Sequence, residues 1–235
     1  MIGSAAFRIG IGGPVGTGKT ALIEALVPRL VDLGLSVIVV TNDINTREDE
    51  RHVKATLAGV LEPSRIVGVE TGACPHQAVR EDPSMNLAAL EELEAGYPDA
   101  DIAFIESGGD NLQLTFSRDL VDLSVFVIDV AGGDKIPRKR GAGLIQADLL
   151  IINKTDLAPY VGADLGVMDR DARLVRAGRP TLFADCRHGI GIAAIIGALE
   201  GARAAFHEEM SASARGAHSH ARVGADDHGR DHTHA

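Results

Sequence analysis

The sequence predicts an α/β fold, a mostly parallel β-sheet with helices on both faces, and three observations predict it. Short apolar runs rich in β-branched residues recur along the chain. Segments with apolar residues at helical spacing lie between them, and a glycine-rich loop joins the first run to the first such segment. Strands that alternate with helices pair in parallel, because each crossover helix returns the chain to the same end of the sheet.

Seven apolar runs are predicted to be strands, and four other segments are predicted to be helices. The strands are Phe7–Ile11, Ser36–Val40, Arg65–Val69, Ile102–Ile105, Val125–Ile128, Leu149–Ile152 and, more weakly, Pro180–Phe183. The helices are Thr20–Leu33, Glu48–Leu61, Met85–Gly96 and Ile190–Met210.

Residues 1–210 are predicted to form one domain, and residues 211–235 a flexible tail. A chain of 235 residues with 45% apolar content is long enough to bury one sizeable core. From about Ser211, small and polar residues replace almost all large apolar ones. Such a segment buries too little surface to offset the entropy cost of ordering it.

Net charge, cysteine content and the lack of long apolar runs indicate which partners and which cellular compartment to expect. The formal net charge of -10 opposes attraction to phosphate backbones, so we expect no nucleic-acid partner. Cys74 and Cys186 form no CxxC pair, which favours a reducing compartment. No signal-peptide pattern and no apolar run near the roughly 20 residues of a bilayer span is present. We therefore expect a cytoplasmic protein without a membrane partner.

A phosphate-binding loop follows the first predicted strand. The motif GxxxxGK[ST] is matched by Gly13, Pro14, Val15, Gly16, Thr17, Gly18, Lys19 and Thr20, and Ala21 continues into the helix. Its glycines let backbone N–H groups approach phosphates at the positive end of that helix. We expect Lys19 to reach the outer phosphates and the Thr20 hydroxyl to ligate Mg²⁺. A chance glycine-rich turn is the alternative, and the flanking strand and helix disfavour it.

A guanine-selecting motif, NKxD, follows the sixth predicted strand. Asp156 can accept hydrogen bonds from guanine N1–H and from the exocyclic amine, whereas adenine has no donor at either position. Hydrogen bonds to a charged group contribute about 1.5–3 kcal/mol, which favours GTP over ATP more than tenfold. Asn153 can meet the other edge of the base, and the Lys154 stem can lie along the ring. These polar residues could instead end a strand and cap a helix.

Three other predicted strands end near carboxylates, at Asp43, Glu70 and Glu106. The carboxyl ends of parallel strands meet at one edge of the sheet, where ligands bind. We expect these side chains to hold Mg²⁺, directly or through its waters, and to orient an attacking water. Within this set we assign Mg²⁺ binding to Asp43 and Glu70 together with Thr20, and catalysis to Asp43 and Glu106 together with Lys19. Each carboxylate could instead cap a helix.

A second metal is indicated by Cys74-Pro75-His76, close in sequence to Glu70. One copy supplies only a sulfur and a nitrogen, too few ligands to hold a transition ion firmly. A twofold dimer would supply two of each, a set that suits tetrahedral Zn²⁺ or square-planar Ni²⁺. Lone cysteine and histidine side chains are also commonly structural.

The final residues are rich in histidine: His218, His220, His228, His232 and His234. Clustered imidazoles on a flexible segment indicate weak metal binding or buffering. A cloning tag or a chance polar terminus is the alternative, and the irregular spacing argues against a tag.

Several long strings in order resemble the urease accessory GTPases, a nickel-chaperone family in the SIMIBI class of P-loop NTPases. They are Gly13–Thr20, Thr41–Ile44, Val69–Gly72, Cys74–His76, Arg80–Asp82, Glu106–Asn111, Asp129–Lys139 and Asn153–Asp156. The resemblance covers nearly all of residues 6–200. It implies a homodimer favoured by GTP and Mg²⁺, with Ni²⁺ at the paired Cys74 and His76. It also implies that GTP hydrolysis delivers the ion to apo-urease in a complex with other urease accessory proteins. We expect hydrolysis to be slow without partners, because the motifs contain no obvious arginine finger.

Three other functions fit parts of the sequence. A hydrogenase-maturation nickel GTPase would share the chemistry, although we would expect more metal-binding cysteines. A small-molecule kinase would use the phosphate loop, yet it needs neither NKxD nor Cys-Pro-His. A non-enzymatic nickel storage protein would depend on the histidine tail alone.

Overall fold

A parallel sheet of seven strands forms the centre of the molecule. The computed structural model describes residues 6–43, 48–71, 77–109 and 111–223. The strands are β1 (Phe7–Gly12), β2 (Val37–Asp43), β3 (Ile66–Glu70), β4 (Ile102–Glu106), β5 (Leu123–Asp129), β6 (Leu149–Asn153) and β7 (Thr181–Phe183). Every pair of neighbouring strands is parallel, and the order across the sheet is β3-β2-β4-β1-β5-β6-β7. The predicted α/β fold class and all seven predicted strands are confirmed.

The strand register brings the predicted carboxylates to one edge of the sheet. Glu106, at the end of β4, is the register partner of Ile11 on one side and of Thr41 on the other. At one side of the sheet Asp43 is opposite Glu70, and on the other side Asp129 is opposite Asn153. The loops that leave β1, β4, β5 and β6 therefore begin next to one another.

Seven α-helices connect or follow the strands. They are α1 (Lys19–Asp32), α2 (Glu48–Thr56), α3 (Ser84–Gly96), α4 (Ala142–Gln146), α5 (Ala158–Val161), α6 (Leu165–Val175) and α7 (Ile192–Val223), within the part of the chain that the structure describes. A single turn with π-helical hydrogen bonding covers Gln77–Glu81 and precedes α3. None of the described helices combines the length and apolar character that a bilayer span requires.

Two helices differ in length from the prediction. Helix α2 ends at Thr56 rather than Leu61, and the chain then turns through Gly59, whose φ of 82° breaks a right-handed helix. Leu57 and Leu61 are nevertheless buried, which explains why the helical pattern extends that far. Helix α7 continues to Val223, into the predicted tail, because alanine and arginine in this segment favour helix even without large apolar residues.

The chain divides into two compact units, residues 1–197 and residues 198–235. All the nucleotide-site residues discussed below belong to the first unit. Its core consists of the apolar strand residues, most of which are fully buried on both faces of the sheet. In the second unit Glu200 and Arg203 form an ion pair one turn apart on the helix.

A buried arginine connects the segments at the β6–β7 side of the sheet. Arg176 follows α6, is fully buried, and donates hydrogen bonds to the backbone carbonyls of Leu144, Ala147 and Pro180. These carbonyls belong to α4, to the residues before β6 and to the residue before β7. These bonds offset part of the cost of burying the guanidinium, whose Nε has no hydrogen-bond partner, and they connect all three segments.

Candidate nucleotide site

The phosphate loop lies between the end of β1 and the start of α1, as its motif predicts. Gly13, Gly16 and Gly18 have positive φ values of 143°, 75° and 92°. A Cβ on Gly13 would lie 2.1 Å from the Val127 carbonyl oxygen. A Cβ on Gly18 would lie 2.3 Å from Asn153 Nδ2. Glycine is therefore required at both positions, for conformation and for space.

Lys19 and Thr17 lie inside the loop rather than on its surface. Lys19 is only 7% exposed, and its Nζ donates to the Pro14 carbonyl oxygen at 3.2 Å. The Thr17 hydroxyl donates to the same oxygen at 2.9 Å. The loop thus holds the ammonium of Lys19 within the cradle, in a low-dielectric site where its charge acts strongly.

Thr20 and Glu106 form the centre of the acidic side of the site. The Thr20 hydroxyl donates to Glu106 Oε1 at 2.6 Å, while Glu106 Oε2 is buried without a hydrogen-bond partner. An unpartnered buried carboxylate oxygen beside a hydroxyl offers the hard oxygen ligands that Mg²⁺ prefers. The residues present therefore fit a magnesium ion.

Burial raises the pKa of Glu106 from 4.5 to about 7, although the Thr20 hydrogen bond and the charge of Lys19 lower it in part. Folded Glu106 thus keeps its proton to higher pH than the unfolded chain does. Its contribution to stability is complete below pH 4.5 and is lost as the pH rises through about 7. In nucleotide-free protein with EDTA, this residue alone should lower the free energy of unfolding by about 3 kcal/mol between acidic pH and pH 8.

The variant Glu106→Gln should lack this part of the pH dependence. Urea unfolding at pH 5, 6, 7 and 8 would measure it, with Glu70→Gln as the control because Glu70 is exposed. If Glu106→Gln lost as much stability with rising pH as the parent, Glu106 would not be a protonated buried acid.

Asn153 joins the phosphate loop to the loop after β7. Its Nδ2 donates to the Thr17 carbonyl oxygen at 2.9 Å, and its Oδ1 accepts from the Cys186 backbone N–H at 3.1 Å. The side chain is 2% exposed. Asn153 is predicted to meet an edge of the base, and in the structure its amide connects the two loops on either side of a cavity.

Lys154 is held by the phosphate loop and by Asp129, which was not among the predicted site residues. It has a left-handed backbone with φ of 58°, and its Nζ contacts the Gly16 carbonyl oxygen and lies 2.7 Å from Asp129 Oδ2. Asp129 ends β5, so its place after an apolar strand was the signal available in the sequence. The ion pair keeps the Lys154 stem beside the loop.

A cavity of about 290 Å³ opens beside the start of α1. It is lined by Gly18, Ala21, Asn153, Lys154, Asp156, Leu157, Asp185, Cys186 and Arg187. Asp156 is exposed there, and burial raises the pKa of the Cys186 thiol to about 11, so that this thiol is protonated at neutral pH. The predicted base-selecting residues and the phosphate loop therefore share one cavity.

Asp185 and His188 were not among the predicted site residues. The His188 ring Nδ1 lies 2.5 Å from Asp185 Oδ2, and the His188 backbone N–H donates to Asp185 Oδ1. Candidate ligand atoms of these two residues and of Asp156 lie within 4.8 Å of one another. No local sequence motif marks this pair. Asp185 lines the cavity because the chain after β7 returns to Asn153, where the Cys186 backbone N–H donates to Asn153 Oδ1.

The remaining predicted metal residues have different positions. Glu70 is exposed on the edge strand β3, which is separated from β1 by β2 and β4, about 14 Å at the usual strand spacing. That placement disfavours a shared magnesium site for Glu70 and Thr20. Asp43 ends β2, next to β4, and its side chain is outside the described part.

The predicted transition-metal ligands fall outside the described side chains. Cys74 and His76 lie between the described residues 71 and 77. His218 and His220 lie within α7, and only their backbone is described. His228, His232 and His234 follow residue 223 and lie outside the described residues.

The family description for the CobW/HypB/UreG nucleotide-binding domain matches residues 7–183. The urease accessory protein UreG of Edwardsiella ictaluri (strain 93-146) is 62% identical over 189 residues, covering 80% of this chain and 90% of that protein. Urease accessory protein UreG 2 of Methylorubrum extorquens (strain PA1) is 64% identical over 185 residues, covering 79% and 86%.

The fold is also similar to a solved structure, that of HypB from Helicobacter pylori in complex with nickel. The TM-score is 0.70 at 18% identity, over 85% of this chain and 87% of that one. At this identity the similarity concerns the fold, and it agrees with the predicted SIMIBI-like P-loop architecture.

Proposed function

This chain belongs to the CobW/HypB/UreG family and, within it, to the urease accessory proteins UreG, and from that premise we propose that it is a GTP-hydrolysing nickel chaperone for urease. The observation that carries the proposal is the continuity of the nucleotide site. Asn153 holds the phosphate loop against the loop of Cys186, with Asp156 exposed in the cavity between them. A site of this form takes the phosphates and the base of one guanine nucleotide.

The phosphate side of the site supports hydrolysis. Lys19 meets the outer phosphates of GTP, and the N–H groups of the glycine-rich loop donate hydrogen bonds to the negatively charged phosphate oxygens. Thr20 and Asp43 would hold Mg²⁺ with Glu106 nearby; when bound, the ion neutralises charge on the phosphate oxygens. Asp43 and Glu106 orient the attacking water, and a pKa of about 7 lets Glu106 hold or release a proton near neutral pH.

The base side supports selection of guanine. Asp156 accepts from guanine N1–H and the exocyclic amine, and its exposure in the cavity leaves it accessible to the base. We expect the Lys154 stem to lie along the ring, and its ion pair with Asp129 supports this by keeping the side chain beside the phosphate loop.

Nickel is the cargo in this proposal. Cys74 and His76 from each of two copies would supply two sulfurs and two nitrogens, a set that suits Ni²⁺ and also Zn²⁺. The buried, protonated Cys186 is a poor alternative ligand, because a thiol must lose its proton to bind a metal. The histidines after residue 213 add weak binding capacity.

Nucleotide state controls the cargo site in this mechanism. GTP and Mg²⁺ bring Asp43 and Glu106 into one arrangement, which favours the dimer that shares nickel, and hydrolysis reverses it. Linkage is reciprocal, so nickel should tighten GTP binding. Other urease accessory proteins and apo-urease are the partners that receive the ion, and slow intrinsic hydrolysis keeps the ion bound until they arrive.

The identity of the relatives favours urease over hydrogenase as the client, since the two relatives described above, 62% and 64% identical, are urease accessory proteins. A storage protein would need only the histidine tail, and the buried lysine and acid of the nucleotide site would then have no use.

Sedimentation with a non-hydrolysable GTP analogue, Mg²⁺ and Ni²⁺, together and with each omitted, tests the proposal. We expect a dimer only with all three, and a monomer for Cys74→Ala and His76→Ala. His52→Ala is a matched control, since His52 is an exposed histidine on α2 that pairs with Glu24. A protein that stayed monomeric under every condition would rule out the shared nickel site.

A further inference from the structure

Two asparagine side chains are fully buried beside the acidic side of the nucleotide site. Asn42 lies near the end of β2, and Asn86 lies in the first turn of α3. Each has 0% exposure, and each donates through its Nδ2 to the Oδ1 of the other at 2.9 Å. We call these two side chains the amide pair.

The second Nδ2 proton of each amide is donated to a backbone carbonyl oxygen outside the pair. Asn42 Nδ2 donates to the backbone carbonyl oxygen of Glu106 at 2.9 Å, and Asn86 Nδ2 donates to that of Ala78 at 2.9 Å. Burying two amides is costly unless they are hydrogen-bonded, and here both are. The pair therefore holds the end of β4 and the turn Gln77–Glu81 in one definite relation.

The two residues whose carbonyls accept these hydrogen bonds, Glu106 and Ala78, lie in different parts of the molecule. Glu106 contacts Thr20 of the phosphate loop through its side chain. Ala78 belongs to the turn that begins at Gln77, the residue that follows His76 directly in the sequence. An unbroken series of hydrogen bonds thus runs from the phosphate loop to the segment that follows Cys-Pro-His.

We infer that Asn42 and Asn86 are positioning residues, and that the amide pair makes the position of the turn Gln77–Glu81 depend on whether the phosphate site is occupied. A shift of the β4 end or the β2 end when nucleotide binds moves Asn42, and the reciprocal bonds to Asn86 carry that shift to Ala78. The identity of the cargo at Cys74 and His76 rests on the proposed function. The response of the turn itself does not.

Hydrogen exchange of the backbone amides in the turn tests this inference without nickel. With saturating nucleotide and Mg²⁺, the wild-type turn should exchange at least about fivefold more slowly with a GTP analogue than with GDP, the low end of typical coupling between sites. Asn86→Leu should abolish the difference between the two nucleotide states. The double variant Asn42→Leu/Asn86→Leu should do the same. It leaves neither side-chain amide of the pair buried without its partner, and only the carbonyls of Glu106 and Ala78 lose a donor.

Leu93→Ala is the matched control, because Leu93 is a buried residue of α3 that has no part in the amide pair. It weakens the packing of the same helix and should keep the nucleotide-dependent difference. A purely structural role would change exchange equally in both nucleotide states. Equal exchange in the two states of the wild type, a retained difference in both leucine variants, or its loss in Leu93→Ala would each overturn the inference.

The nickel measurement separates this inference from the proposed function. If the turn responds to nucleotide through the amide pair but no nickel-dependent dimer forms, the cargo assignment fails and the coupling stands. If a nickel-dependent dimer forms while the turn ignores nucleotide, the coupling fails and the cargo assignment stands.

Discussion

Lys19→Ala should lower the rate of GTP hydrolysis by about 100-fold or more, the usual cost of removing one preorganised group that stabilises transition-state charge. Lys19 is buried in the cradle, with its Nζ held at the Pro14 carbonyl oxygen. Its charge therefore acts on the outer phosphates with little screening by water. Phosphate release under single-turnover conditions would measure the effect, and nucleotide binding should be followed separately.

Lys135→Ala is the matched control for this variant, since Lys135 is exposed and outside the cradle. It should hydrolyse GTP at the parental rate when no partner is present. The Lys19→Ala protein should still bind nickel weakly through its tail histidines. Hydrolysis by Lys19→Ala within about threefold of the parent, well inside the expected range, would mean that the loop does not act in catalysis.

Asp156→Asn should exchange guanine preference for xanthine preference. The carboxylate accepts two hydrogen bonds from guanine, whereas an asparagine amide offers one acceptor and one donor, the set that matches xanthine N1–H and O2. At about 1.5–3 kcal/mol for a hydrogen bond to a charged group, GTP affinity should fall more than tenfold, and the ratio of GTP to XTP affinity should fall further. Competition between the two triphosphates for a fluorescent nucleotide would measure both.

The control for base selection is Asp119→Asn, an exposed aspartate away from the cavity. It should retain the parental preference. Unchanged GTP and XTP affinities in Asp156→Asn would contradict the assignment of this carboxylate as the base selector.

Local patterns were sufficient to predict most elements of the fold. The strands are short apolar runs on a sheet covered by helices, and their composition alone distinguishes them. Strand order was beyond reach, because β4 lies between β1 and β2 only through crossovers that no local pattern encodes. Helices α4, α5 and α6 were not predicted, although Asp164 caps α6 by accepting from the backbone N–H groups of Gly166 and Val167.

In the site, too, residues within continuous motifs could be predicted, whereas contacts between distant parts of the chain could not. Lys19, Thr20, Asn153 and Asp156 belong to continuous motifs, so they could be predicted from the sequence. In the structure Asn153 and Asp156 line one cavity together with Gly18, the residue before Lys19. The ion pair of Lys154 with Asp129 and the amide pair join residues from distant parts of the chain. Arg176 was equally unpredictable, because a buried arginine is tolerated only where carbonyls from three segments converge.

The order of the strands has one more consequence. The cavity lined by Asn153 and Asp156 lies at the loops after β6 and β7, while β3, the strand that precedes Cys74 and His76 in the sequence, lies at the opposite margin of the same sheet. Under the proposed function, the residues that select the nucleotide and the residues that bind nickel therefore share no side chain. Substitutions should therefore change either selectivity separately, for example to a variant that uses xanthine nucleotides and binds nickel as the parent does. The strands between the two regions would keep nucleotide binding and nickel binding coupled.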